Sequence, residues 1–191
     1  IQALAQQGVS FRQAWLVPPA HPYSGAWAEI HNSSIPNPVM PAGTVFLHKG
    51  HRMVQHQFAP NTAHVNNCPE AYVSLNPGNT YIHAKDTEDA WVIEQAIRLL
   101  ESEPITFMRI HLQDTGRAGY ACSVAQGDEP YKKNIWGKGS PYIEKAREAD
   151  RLLGRFVNAL KKKYDDTLLV FTADHGQAST GRHPPHLAES A

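Results

Sequence analysis

The stretch "SPYIEKAREADRLLGRFVNALKKKYDDTLLVFTADHG", residues 140–176, decides the fold. Ser140 stands as an N-cap and Pro141 at the first helical position, where its missing N–H costs nothing. Ile143, Ala146, Ala149, Leu152, Leu153, Phe156, Val157 and Leu160 then recur at helical spacing, so a helix over 140–164 has one apolar face. Lysines 161–163 close it, cations suited to the negative end of the helix dipole. "TLLVFTA" (167–173) follows as an unbroken apolar run, the pattern of a strand in a parallel sheet covered on both faces. At its exit come Asp174, His175 and Gly176.

The same alternation appears upstream. "DTEDAWVIEQAIRLLESE" (86–103) offers Asp86 as an N-cap and acids in its first turn, then Trp91, Ile93, Ala96, Ile97 and Leu100 at helical spacing. "ITFMRIHL" (105–112) is short, apolar and β-rich, and reads as a strand. Helix, strand, helix, strand predicts right-handed crossovers and an α/β fold, a largely parallel sheet sandwiched between helices. Ligands collect at the carboxyl ends of such strands. Two segments leave there, "QDTGRAGY" (113–120) and "DHGQASTGRH" (174–183). Residues 113–139 read as one aperiodic connection, long enough for a functional lid. The first half, with "VPPAHPYSG" (17–25) and "SSIPNPVMPAG" (33–43), reads as irregular connections with a strand around "GTVFLH" (43–48).

The chain has 191 residues, read as a single domain spanning 1–191. Its 18 Lys and Arg balance 18 Asp and Glu, which argues against nucleic acid as a partner. No window approaches the roughly 18 apolar residues of a membrane span, so no membrane insertion is expected. Cys68 and Cys122 lack CxxC spacing and define neither a disulfide framework nor a thiolate zinc site. The opening "IQALAQQGVSF" begins on an apolar helical face, Ile1, Leu4 and Ala5, as though inside a domain. Neither a compartment nor an oligomeric state is legible; a periplasmic or extracellular location is compatible with a chain that starts inside a domain.

Asp174 and His175 can present a carboxylate oxygen and an imidazole nitrogen to one metal ion, a mixture zinc accepts. The same tripeptide also serves as a capped turn. In context, "DDTLLVFTADHG" after a long amphipathic helix and before "GRH" resembles the metal-binding core of the alkaline phosphatase superfamily, which includes type I phosphodiesterases, sulfatases and phosphonate hydrolases. The resemblance covers residues 80–186. More loosely, "IQALAQQGVSFRQAWLVPPAHPYSGAWAEI" (1–30) looks like the superfamily helix that leads through a proline-rich loop to the nucleophile.

The resemblance implies an alkaline phosphatase-like domain lacking its first strand, and a metal-dependent hydrolase of small-molecule phosphate or sulfate esters. It implies one or two divalent ions, zinc by the histidines, which activate a Ser or Thr (or formylglycine) nucleophile. Asp174 and His175 correspond to the ligands of the second metal, and His183, or else His186, to a histidine of the first. The phosphodiesterase branch ends the strand matching "MRIHL" in "DxDxxGH", but here Gly116 and Tyr120 replace the second Asp and the His. Asp114 remains as a first-site ligand or a turn former, and Arg117 as a replacement positive charge against the anion or an exposed loop residue. Ser24 is the loop hydroxyl available as nucleophile, with Ala20 or Pro22 where Thr is expected, and His21 is a metal or substrate contact or a structural filler. These departures keep open a degenerate, non-catalytic member acting as a binding or structural domain. An unrelated α/β module with a plain Asp-His turn is a third reading. His48, His51, His56 and His64 read as dispersed in an irregular region, and His83 and His111 as satisfied by local hydrogen bonds.

Overall fold

The computed structural model describes residues 1–11, 54–67, 80–173 and 176–182. Its elements run α1 (Gln2–Ala5), a 3₁₀ turn (Val54–Gln57), β1 (Thr62–Asn66), β2 (Thr80–His83), α2 (Asp89–Ser102), β3 (Phe107–His111), α3 (Asp114–Val124) and α4 (Pro141–Lys163). The chain divides into two compact units. One is Gln55–Ala118 with Tyr142–Leu169, and the other is Ile1–Val54 with Gly119–Pro141 and Val170–Ala191.

The first unit holds the sheet, in the order β2-β1-β3, parallel throughout. In register, Val65 lies opposite Ile82 and Ile110, while Asn66 lies opposite His83 and His111. Side chains alternate across a strand, so these rows belong to opposite faces. On the apolar face, Val65 is 0% exposed and packs with Val92, Ile93, Ala96 and Leu100 of α2 and Leu152, Phe156 and Leu160 of α4. Ile82, Met108 and Ile110 flank this cluster. The fold is α/β, a small parallel sheet flanked by helices, as the alternation of helix and strand predicts. β1 is the central strand and is buried over its whole length, so both faces of the sheet are covered along it.

α4 begins at Pro141, as the sequence predicts, and ends on its three lysines. The last of them also reaches across to α2, where Lys163 Nζ donates to the carbonyls of Leu100 and, at 3.0 Å, of Glu103. A cation thereby satisfies carbonyls that the end of α2 leaves without helical partners. Tyr164 Oη accepts the Ile105 N–H at 3.2 Å and ties the start of the β3 segment to the same corner.

Four expectations are corrected. α2 begins at Asp89 with Glu88 as N-cap, not at Asp86. Asp86 instead sits in the turn before the helix with φ 63°, a left-handed conformation that Asp tolerates better than most residues. Residues 114–124 of the expected long connection form helix α3; Gly116 and Gly119 conceal it in the sequence by lowering helix propensity. His64 lies in β1 rather than in an irregular region. Residues 167–173 form no strand: Leu168 is 88% and Val170 75% exposed, although Leu169 packs against the core cluster. An apolar run supplies β-propensity, but a strand also needs an edge to pair with, and no described strand pairs with this one. The strand expected at 43–48 lies outside the described residues.

In the second unit, α1 forms on the expected apolar residues but buries none of them. Cys122 is a buried free thiol 3.6 Å from Ser140 Oγ. Segment 176–182 is pinned by Gln177 Nε2 to the carbonyls of Gly181 (2.6 Å) and Arg182 (3.0 Å). Gly181 has φ +86°, and a Cβ there would lie 2.1 Å from the Gly119 carbonyl oxygen. Gly181→Ala is therefore expected to cost about 1–3 kcal/mol from backbone strain alone. The check is a lowered urea midpoint together with faster proteolysis near residue 181; an unchanged midpoint would contradict this placement. No described helix is long and apolar enough to cross a membrane.

Candidate functional site

Beyond the carboxyl ends of β1 and β3 and the turn after β2, four charged side chains converge in the sheet unit. Asp89 opens α2 and Asp114 opens α3, both carboxylates at helix N-termini, where orphan N–H groups and the helix dipole favour negative charge. Asp89 is 1% exposed. Its Oδ1 accepts the backbone N–H groups of Gln113 (2.8 Å) and Asp114 (3.1 Å) and the Asn67 amide (3.0 Å). The Asp89 N–H in turn donates to Asp114 Oδ2 at 3.2 Å. The starts of two helices and the residue after β1 are thus joined through one carboxylate oxygen.

Arg117 and Lys145 supply the countercharge. Arg117 Nη1 donates to the Thr87 carbonyl at 2.8 Å and to Asp114 Oδ1 at 3.4 Å, while Nη2 donates to the Asn67 carbonyl at 2.7 Å. Asp86 stands 4.0 Å away. Lys145 Nζ lies 3.3 Å from Asp114 Oδ2 and 2.8 Å from Glu148 Oε2. The hydrogen bond to Glu148, then that to Asp114, raises the Lys145 pKa. Burial raises the Asp89 pKa above its ordinary 3.8. The Asp114 charge pushes the same way, and the bonds from Asn67, Gln113 and Asp114 oppose it.

This geometry bears on the residues singled out in the sequence. Asp114 is buried, with one oxygen on Arg117 and the other on Lys145 and the Asp89 N–H. As placed, it does not offer a metal ion an open oxygen. Arg117 spends its fork on two backbone carbonyls and a carboxylate, which makes it a clamp between loops. Gly116 and Tyr120 lie within α3, and Tyr120 is exposed. Asp174, His175, His183, His186, Ser24 and His21 lie outside the described residues. Among the described residues, no group of three or more His, Cys, Asp and Glu side chains could hold a metal ion. The described part of the chain therefore does not by itself fit the implied metal.

Sequence reasoning missed Asn67, Asp89 and Lys145. One signal was available: Lys145 falls in the early part of a helix, where its charge opposes the dipole, and a cation there implies a carboxylate partner. Asp89 carried no such mark, since an acid in a first turn is ordinary.

Segment 176–182 separates Asp174 and His175 from His183. Ala178 N–H donates to the Arg182 carbonyl at 3.1 Å and Gly181 N–H to the Ala178 carbonyl at 2.8 Å, so the chain reverses direction between them. No curated protein and no solved structure matches the chain. A sequence model of the sulfatase family matches residues 34–191, a span that contains the Asp-His pair, the reversal and both later histidines. With the parallel α/β sheet already in place, that match over most of the chain settles its kinship: it belongs to the sulfatase family, within the alkaline phosphatase superfamily.

Proposed function

We propose that the protein is a metal-dependent hydrolase of small-molecule sulfate or phosphate esters. The observation that carries this reading is the sulfatase-family match across residues 34–191. Asp174, His175 and His183 are the proposed ligands, with His186 as the alternative to His183. The chain reversal between Ala178 and Arg182 supports a common site for His175 and His183, because it turns the backbone back between them. Zinc suits this set of one carboxylate and two imidazoles. When bound, such an ion supplies positive charge to the ester oxygens and acidifies the attacking group. Ser24, which precedes the matched span, is the proposed nucleophile, and His21 in the same proline-rich stretch of sequence is a proposed contact to substrate. Arg117 and Asp114 enter this reading as positioning residues, Arg117 through the Asn67 and Thr87 carbonyls and Asp114 through Arg117, Lys145 and the Asp89 N–H.

One observation favours a second reading, a family member that has lost turnover and binds rather than cleaves. Both oxygens of Asp114 are tied to cations, and the segment matching the first-metal motif is folded into α3 with Gly116 and Tyr120 at its ligand positions.

Metal content per chain separates the two. Purified without chelator, the parent is expected to carry near-stoichiometric zinc and to hydrolyse an aryl sulfate or aryl phosphate. Asp174→Ala and His175→Ala are each expected to lose the metal and at least about 100-fold in kcat/KM, the scale on which an essential stabilising group acts. A parent that takes up no zinc even on incubation would end the hydrolase reading. A metal-loaded but inert parent would favour the second.

A further inference from the structure

Helix α4 has a buried face of Leu152, Phe156, Val157 and Leu160. Its opposite face between residues 151 and 162 consists of Arg151, Gly154, Arg155, Asn158, Lys161 and Lys162, all exposed. That face holds cations but neither an acid nor an apolar side chain. Arg147 stands one turn earlier, among Glu144, Glu148 and Asp150, and Asp165 and Asp166 follow beyond the helix end. The chain as a whole balances 18 basic against 18 acidic residues, so this stretch is a local segregation of charge and not a share of a basic protein.

The fold does not use these cations. Lys145 is engaged by Asp114 and Glu148, and Lys163 by carbonyls at the end of α2. Among the described residues, none of Arg151, Arg155, Lys161 and Lys162 takes part in an ion pair. Arg147, Arg151 and Arg155 follow at four-residue intervals, a like-charge spacing that weakens a helix. An anion outside the chain would turn that repulsion into attraction.

The face itself narrows what that anion is. Protein partners are gripped through aromatic or apolar anchors inside a polar rim, and no such anchor stands between residues 151 and 162 on this side. A single helix also presents a convex surface, which suits a flat partner. Acidic phospholipid headgroups need no anchor and strengthen attachment with each Lys or Arg near the surface. Position agrees with this. α4 starts where Lys145 meets Asp114, beyond the carboxyl ends of the strands, and ends where Tyr164 and Lys163 hold the segment that leads into β3. Lys145 and Lys161 are roughly 24 Å apart along the helix axis. A surface held at residues 151–162 therefore leaves the carboxyl edge of the sheet accessible.

We propose that the outward face of α4, through Arg151, Arg155, Lys161 and Lys162, docks the protein on an anionic phospholipid surface without inserting into it. Docking of this kind requires no turnover and does not rest on the hydrolase reading.

The test is cosedimentation of the full chain with vesicles of phosphatidylcholine alone and of phosphatidylcholine mixed with phosphatidylserine, at low and high salt. The parent is expected to bind the mixed vesicles, to leave them at high salt and to ignore the neutral ones. Arg151→Glu combined with Arg155→Glu is expected to bind at least about 20-fold more weakly, since each cation near such a surface contributes roughly five-fold. Lys85→Glu combined with Lys138→Glu makes the same change of charge at exposed positions elsewhere and is expected to lose far less. Circular dichroism verifies folding. Should the arginine variant fail to fold, amine labelling of the parent is read instead: mixed vesicles are expected to slow labelling of Lys161 and Lys162 but not of Lys85 and Lys138. No binding to mixed vesicles, equal binding to neutral ones, equal losses in the two charge variants, or unprotected Lys161 and Lys162 would overturn the proposal. Binding of dextran sulfate through the same arginines without attachment to vesicles would also overturn it and assign the face to a soluble polyanion. A metal-free, inert parent that binds mixed vesicles through these arginines loses the hydrolase reading and keeps the docking face.

Discussion

Asp89→Ala is expected to destabilise the protein by about 3–5 kcal/mol, because it strips three donors of one acceptor at once. The Gln113 and Asp114 N–H groups and the Asn67 amide all end on Asp89 Oδ1. A buried donor left without a partner costs about 1–3 kcal/mol, and water reaches little of this site. Asp89→Asn keeps an acceptor oxygen and should cost less than about 1 kcal/mol at neutral pH, because the weakening of those bonds on losing the charge is offset by relief of the burial penalty on that charge. Urea unfolding followed by circular dichroism measures both, and equal losses for Ala and Asn would refute the acceptor role.

The same residue gives a pH dependence of definite sign. Burial, reinforced by the Asp114 charge, raises the Asp89 pKa in the folded protein above its ordinary 3.8. Between 3.8 and the raised value, the folded state binds more protons here than the unfolded state does. The Asp89 contribution to stability is therefore greatest below 3.8, falls as pH rises through that window and is level above it. Asp89→Asn is expected to remove this part of the slope. A variant and parent with parallel stability curves across the window would contradict it.

The second large effect is expected in the core. Phe156 is 6% exposed and belongs to the cluster joining α4 to α2 and β1. Phe156→Ala should cost about 3–5 kcal/mol, the usual loss for a buried aromatic whose neighbours cannot close the cavity. Leu168→Ala is the informative companion. As part of a buried strand, Leu168 would cost about 2–5 kcal/mol on truncation; as an 88% exposed side chain, it should cost less than about 0.5 kcal/mol. A large loss at Leu168 would restore the strand that the sequence suggests.

The parts of this protein legible in its sequence are those fixed by local rules. α4 could be read from Ser140-Pro141, the helical recurrence of its apolar residues and the terminal lysines, and β3 from its short β-rich run. β1 was not legible, because "TAHVN" has only two apolar residues and its other side chains serve the polar face of the sheet. α3 was hidden by two glycines. At one of them, Gly119, a Cβ would fall 2.9 Å from the end of the Gln177 side chain, which would have to shift to admit it. Of the candidate site, the residue types at Asp174, His175 and His183 were legible together with the family they point to, and the sulfatase-family match over 34–191 bears that family out.

By itself, then, the sequence determined the α/β class, the parallel direction of the sheet and the kinship, since hydrophobic period and motif spacing are properties of neighbours along the chain. Only the tertiary structure decided that Asp114 holds Arg117, Lys145 and the start of α2, and that Arg117 holds the carbonyls of Asn67 and Thr87. It alone also decided that Asp89 collects three donors and that His83, Asn66 and His111 end three strands in one row. These partners are drawn from different strands, turns and helices. Distance across a sheet is set by register and backbone hydrogen bonding, which no local pattern of residues specifies.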